Sequence, residues 1–109
     1  MGSIPQLEPA ELASLLALPE AERPFLLDVR GPDEFALAQL PGALLVPLHE
    51  LPGRLDEIPE GRALVVYCHH GVRSLSGVAI LRQAGREAQS LSGGLDAWSR
   101  LIDPAIPRY

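Results

Sequence analysis

The sequence predicts an α/β fold, with a central, mainly parallel sheet and helices on both faces. Three observations carry this reading. Short apolar runs alternate with segments whose apolar residues recur at helical spacing. Proline and glycine punctuate the joints between them. The most apolar run, Ala63-Leu64-Val65-Val66-Tyr67, ends at the only cysteine, Cys68. In open sheets of this kind, ligands bind beyond the carboxyl ends of the strands.

The elements follow in order. Pro9 suits a first helical turn, and Leu12, Leu15 and Leu16 share one face of a helix over Ala10 to Leu18 that Pro19 ends. Phe25 to Val29 reads as a buried strand. Pro32-Asp33-Glu34 opens a helix, with acids at the positive end of its dipole. Pro41-Gly42 marks a turn, and Ala43 to Val46 is a second buried strand stopped by Pro47. Leu48 to Ile58 is amphipathic and broken at Pro52-Gly53, which gives two short helical turns. Ala63 to Tyr67 is the strongest strand and so the central one. A helix runs from Ser74 to Ala84, with Val78, Ala79 and Leu81 inward and Gly85 as its C-terminal cap. Glu87 to Leu91 is the last strand. Gly93-Gly94 turns the chain into a helix over Leu95 to Leu101, and Asp103 to Tyr109 is an irregular tail.

Composition limits the function. The chain has 109 residues, 47% hydrophobic and 21% charged, which suits one globular domain over residues 1–109. Net charge is −5 and all nine basic residues are arginine. This balance argues against a nucleic-acid partner, which would call for a basic face. It also means that an anionic substrate must be drawn by a local field. No apolar stretch approaches the ~20 residues of a membrane span. Met1 to Pro5 shows no signal-peptide pattern, and Gln6 stands where a myristoylation motif needs Ser or Thr. One cysteine and three histidines make neither a disulfide nor a zinc site, so no metal or cofactor is expected. A reducing, cytoplasmic setting fits.

The chemistry concentrates in Cys68-His69-His70-Gly71-Val72-Arg73-Ser74, between the central strand and a helix. A free thiol titrates near ~8.5, falling to roughly 3.5–7.5 at helix N-termini or beside cations. Gly71 permits a tight turn in which successive N–H groups point inward as an anion nest. Arg73 adds a planar fork of donors, and Ser74 can cap the helix and face the sulfur. Such a ring suits a thiolate that attacks an anionic substrate and then holds an anionic intermediate. His69 and His70 read as loop residues that tune polarity and access, because transfer from a thiolate needs no general base. His49 reads as a surface residue. Asp28, Arg30 and Glu34 read as a structural set that ties strand to helix. Gly93, Gly94 and Trp98 read as backbone and packing devices at the border of the site.

These segments together resemble the rhodanese family. Leu26 to Arg30 with Glu34-Phe35 is similar to its first signature, and Leu40-Pro41-Gly42-Ala43 to its second. Cys68 to Ser74 is similar to the active loop, and Leu91-Ser92-Gly93-Gly94 with Trp98 to the closing motif. The resemblance covers nearly the whole chain. It implies a single rhodanese-like domain that moves a sulfane sulfur from thiosulfate or a similar small anionic donor through a persulfide on Cys68. His69, His70, Gly71, Val72, Arg73 and Ser74 then form the substrate cradle. With no second cysteine, the acceptor is external: a thiol, cyanide or an acceptor protein. Ala38-Gln39 departs from the family's usual Gly-His, which implies a local packing change. Two other functions compete. One is a persulfide-carrier module in a sulfur relay. The other is a cysteine phosphatase or arsenate reductase, against which stands the loop length: the related phosphatases place five residues between Cys and Arg, whereas here only His69 to Val72 intervene.

Overall fold

A computed structural model describes residues 3–109; the readings placed on Met1 and Gly2 lie outside the described residues. Five strands form one sheet: β1 (Gln6–Leu7), β2 (Phe25–Asp28), β3 (Leu44–Leu45), β4 (Leu64–Tyr67) and β5 (Ala88–Leu91). Their order is β1-β5-β4-β2-β3 and every pairing is parallel. The strand predicted to be central, β4, is central: Val66 lies in register with Leu27 on one side and Ser90 on the other. Four helices, α1 (Pro9–Leu16), α2 (Pro32–Leu37), α3 (Arg73–Gln83) and α4 (Gly94–Leu101), complete the fold.

The alternation of the pleat divides the core into two layers. Leu26, Val65, Tyr67 and Leu91 face one side, with Leu12 of α1, Leu95 and Trp98 of α4 and Ile106 of the tail. Leu27, Val29, Leu64, Val66 and Cys68 face the other, with Val78 and Leu81 of α3 and Leu51. Both faces of a parallel sheet must be covered, so its strands are apolar runs instead of alternating ones. Cys68 therefore opens toward α3.

Several boundaries differ from expectation. α1 ends at Leu16, two residues early, and Leu18 is left exposed. The strand expected over Ala43 to Val46 pairs only at Leu44–Leu45. The Leu48–Ile58 stretch forms two 3₁₀ segments, Leu48–Gly53 and Leu55–Glu57, which part at Arg54. Ala79 is not one of the buried positions of α3; Gly77 is, because a Cβ there would meet Val66 Cγ1 at 3.2 Å. The glycine brings helix and sheet close behind the site. Gly85 ends α3 as expected: its N–H donates to Arg82 and that of Arg86 to Leu81, a paired C-terminal cap. β1 was not predicted.

Under the site lies a buried ion pair. Arg30 and Asp28 are both fully buried, with Nη2 and Oδ2 2.6 Å apart. Burial by itself pushes the Arg30 guanidinium down, but its bonds to Asp28 and Tyr109 outweigh that and hold it charged. A further Nη2 bond goes to the carbonyl of Ala38, at the end of α2. Ala38 is buried, while Gln39 turns outward and donates to the Phe35 carbonyl. At this dipeptide a small buried residue thus stands beside the ion pair, with its carbonyl accepting from Arg30.

Candidate active site

The loop leaves β4 at Cys68 and enters α3 at Arg73. Cys68 is a free thiol, 1% exposed at the floor of that loop. Its Sγ accepts from the N–H of Gly71 at 3.2 Å and from the N–H of Ser74 at 3.4 Å. The Ser74 hydroxyl lies 3.4 Å from the same sulfur. Two backbone N–H groups thus donate to the sulfur, while the thiol itself donates to the Ser74 hydroxyl; converging N–H groups suit a sulfur that becomes negatively charged.

The turn is possible because Gly71 adopts φ +88°. A Cβ there would meet the Gly93 backbone N at 2.9 Å, so the loop is pressed against the Gly93-Gly94 turn. The start of α4 fastens it. The N–H groups of Leu95 and Asp96 donate to the carbonyls of Cys68 and His69, at 2.9 and 3.0 Å. These carbonyls point toward α4, away from the sulfur. The Gly-Gly turn therefore forms part of the wall of the site.

Ser74 does not cap α3. It lies one residue inside the helix, and its hydroxyl is 2.7 Å from that of Ser90 on β5. Both serines are fully buried. Ser90 was missed in the sequence, where a lone serine in a strand carries no motif; its register opposite Val66 is what brings it there.

Arg73 departs most from expectation. Its guanidinium is already paired: Nη1 and Nη2 donate to Glu34 Oε1 and Oε2 at 2.6 and 2.8 Å. Glu34 also accepts from the Gly31 N–H and from the Tyr109 hydroxyl. The hydrogen bonds from Arg73, above all, hold its carboxyl at about 2, far below the usual range. Glu34 thus ties α2 to the active loop, whereas Asp28 and Arg30 tie strand to helix.

The tail supplies a residue the sequence did not reveal. The Tyr109 ring stacks on His69, and its hydroxyl bridges Arg30 and Glu34 at 2.6 and 2.8 Å. Ion pairing of Arg108 with Asp96, and burial of Ile106, hold the tail in place. Burial pushes the His69 imidazole down, with His70 adding to the effect. Its Nε2 is buried without a hydrogen-bond partner. His70 is exposed, as are Val72 and His49.

Among the described residues, His69, His70 and Asp96 place ligand atoms within 4.8 Å of one another. The Asp96 carboxylate is already engaged by Arg100 and Arg108, which makes it a poor metal ligand.

The rhodanese-like domain family matches residues 8–101 of this chain. The chain belongs to the rhodanese-like family. It is 42% identical over 84 residues to a sulfurtransferase of Allochromatium vinosum, spanning 76% of this chain and 78% of that protein. It is 34% identical over 106 residues to an adenylyltransferase and sulfurtransferase of Ogataea parapolymorpha, but spans only 27% of that longer protein. A rhodanese-like domain protein of Staphylococcus aureus superimposes with a TM-score of 0.80 at 29% identity, covering 100% of this chain and 99% of that one. The rhodanese-like domain thus carries its single cysteine at the carboxyl end of the central strand, at the start of the loop that leads into α3. Among the described residues, no helix is long and apolar enough to cross a membrane.

Proposed function

We propose that this rhodanese-like domain, acting as one unit over residues 1–109, transfers a sulfane sulfur through a persulfide on Cys68. The observation that carries the reading is the pair of backbone N–H groups, from Gly71 and Ser74, that converge on the cysteine sulfur. The thiolate attacks the outer sulfur of a donor such as thiosulfate. The S–S bond of the donor breaks and sulfite leaves with the electron pair. The new terminal sulfur carries the charge, and the loop from His69 to Ser74 cradles it. An external nucleophile, such as a thiol, cyanide or an acceptor protein, then takes that sulfur. No second cysteine exists to release it as an internal disulfide. The buried, unpaired thiol fits the reducing cytoplasm.

Intact mass after incubation with thiosulfate, before and after cyanide, tests the reading. A gain of one sulfur atom, absent in Cys68→Ser and removed by cyanide, supports it. A folded protein with a free thiol that gains no sulfur from thiosulfate, an alkyl persulfide or a persulfidated protein overturns it.

A second reading, a carrier module within a sulfur relay, is favoured by one observation. Glu34 already occupies Arg73, so the cradle offers a free anion backbone donors and little net charge. A carrier accepts one sulfur per chain from a partner but turns over free thiosulfate poorly. The same pairing weakens the phosphatase alternative, whose substrate is a phosphate dianion that needs a free guanidinium.

A further inference from the structure

Consider the charges that meet a donor at the mouth of the loop. The Arg73 guanidinium is neutralised by Glu34 through two parallel bonds. The Arg30 guanidinium is spent on Asp28 and on Tyr109. Those of Arg100 and Arg108 are spent on Asp96. His69 is kept toward its neutral form by burial. No lysine exists anywhere in the chain, whose net charge is −5. The described residues of the site thus present no unpaired guanidinium to a dianion. The bonds that hold Glu34 in place come from three separate segments. Gly31 donates from the start of α2, Tyr109 from the tail, and Arg73 from the loop itself.

We propose that Glu34 sets donor choice: by holding Arg73 in a bidentate ion pair, it disfavours free sulfur oxyanions and leaves the site suited to alkyl persulfides, small or protein-borne. The inference rests on the Cys68 persulfide reading and names its substrate class. Thiosulfate brings two negative charges toward a thiolate, so its attack depends on a local cation. An alkyl persulfide whose outer sulfur carries a proton brings none there. In that step Cys68 Sγ bonds to the outer sulfur and the donor S–S bond breaks. The electron pair leaves on the alkyl thiolate, which takes up the proton released as the new persulfide ionises. No oxidant or reductant is needed. Glu34 touches neither donor nor sulfur in this scheme; it is a positioning residue that acts through Arg73.

The test compares two donors, thiosulfate and cysteine persulfide, by the rate at which Cys68 gains one sulfur in intact mass. The wild-type chain prefers cysteine persulfide. Glu34→Gln keeps an oxygen for the Gly31 N–H but releases Arg73. It raises kcat/KM for thiosulfate relative to cysteine persulfide by about five- to tenfold, mainly through a lower KM. The gain shrinks with added salt. It disappears in the double variant Glu34→Gln/Arg73→Gln, because the freed guanidinium is its source. Glu34→Asp, which withdraws the carboxylate by one methylene, shifts the ratio the same way by a smaller factor and decides the matter if Glu34→Gln does not fold. A folded variant whose donor ratio stays within about twofold of wild type overturns the inference while leaving Cys68 persulfide formation standing. A wild-type chain that forms no persulfide from either donor overturns the underlying reading as well.

Discussion

Tyr109 lies flat against His69, with ring centroids 3.9 Å apart and planes 8° from parallel. The contact fastens the tail to the loop between β4 and α3, and the hydroxyl adds bonds to Arg30 and Glu34. Removing the ring and its charge-assisted bonds in Tyr109→Ala is expected to cost about 1–3 kcal/mol. Tyr109→Phe keeps the stack and is expected to cost less than half of that. Urea midpoints at constant slope measure both. Equal losses for the two variants would show that the hydroxyl, and not the stack, holds the tail.

Cys68→Ser is expected to abolish persulfide formation and leave the fold within about 1 kcal/mol of wild type. The substituted hydroxyl still finds the Gly71 and Ser74 N–H groups that now serve sulfur. Mass analysis with thiosulfate and cysteine persulfide, beside a urea titration, checks both parts. Persulfide gained by a folded Cys68→Ser chain would rule out the nucleophile.

Much of this site was legible in the sequence, and the reasons are physical. Leu64 to Tyr67 announced a strand because both of its faces are buried, which demands an unbroken apolar run. Gly71, Gly93 and Gly94 announced turns because their backbones take positive φ. The sequence was silent where long-range contact alone decides. β1 is two residues that pair only with β5, too short to show any period. Glu34 and Arg73 lie 39 positions apart, and an acid in a first helical turn already has a local explanation. Tyr109 looked like a tail residue because nothing local betrays its stack on His69. Each chemical group of the loop was identified, but not which charges would already be engaged.

Glu34 also makes acid stability predictable. Its carboxyl is held at about 2 in the folded chain, against an ordinary value of 4.5. A depressed carboxylate contributes stability that is fully present above the unfolded value and lost as pH falls through the folded one. The window is therefore about pH 4.5 down to about 2. Partial exposure of the pair screens the effect, which leaves about 1–2 kcal/mol. Glu34→Gln should flatten the stability-versus-pH curve in that window relative to wild type. Parallel curves for the two proteins would show that Glu34 is not the group responsible.

The ion pair beneath the site is expected to be far more costly to break than any exposed one. Arg30→Met leaves Asp28 buried with its charge unpaired and removes the donor to the Ala38 carbonyl. Such single-sided losses cost about 3–5 kcal/mol. Arg54→Met, at a surface pair with Glu57, should change stability far less, because solvent screens an exposed pair. Thermal melts of the two variants, side by side, measure the contrast.

Gly94 is where a single methyl group would do most damage to the site. Its φ is +62°, and a Cβ would come within 2.5 Å of the carbonyl oxygens of both Cys68 and His69. Neither obstacle is a flexible side chain; both belong to the loop backbone that α4 grips through Leu95 and Asp96. The loop cannot yield without losing those bonds, and the helix cannot retreat without unpacking Trp98 from the core. Gly94→Ala is therefore expected to cost about 2–4 kcal/mol. Chains that still fold should form persulfide at least tenfold more slowly, because displacing the Cys68 carbonyl moves the sulfur relative to the Gly71 N–H. Gly53→Ala is the matched control, with open space around its Cβ. Mass-detected persulfide rates on the folded fraction separate the two effects. A Gly94→Ala chain as stable and as fast as Gly53→Ala would mean that the Gly-Gly turn does not shape the loop.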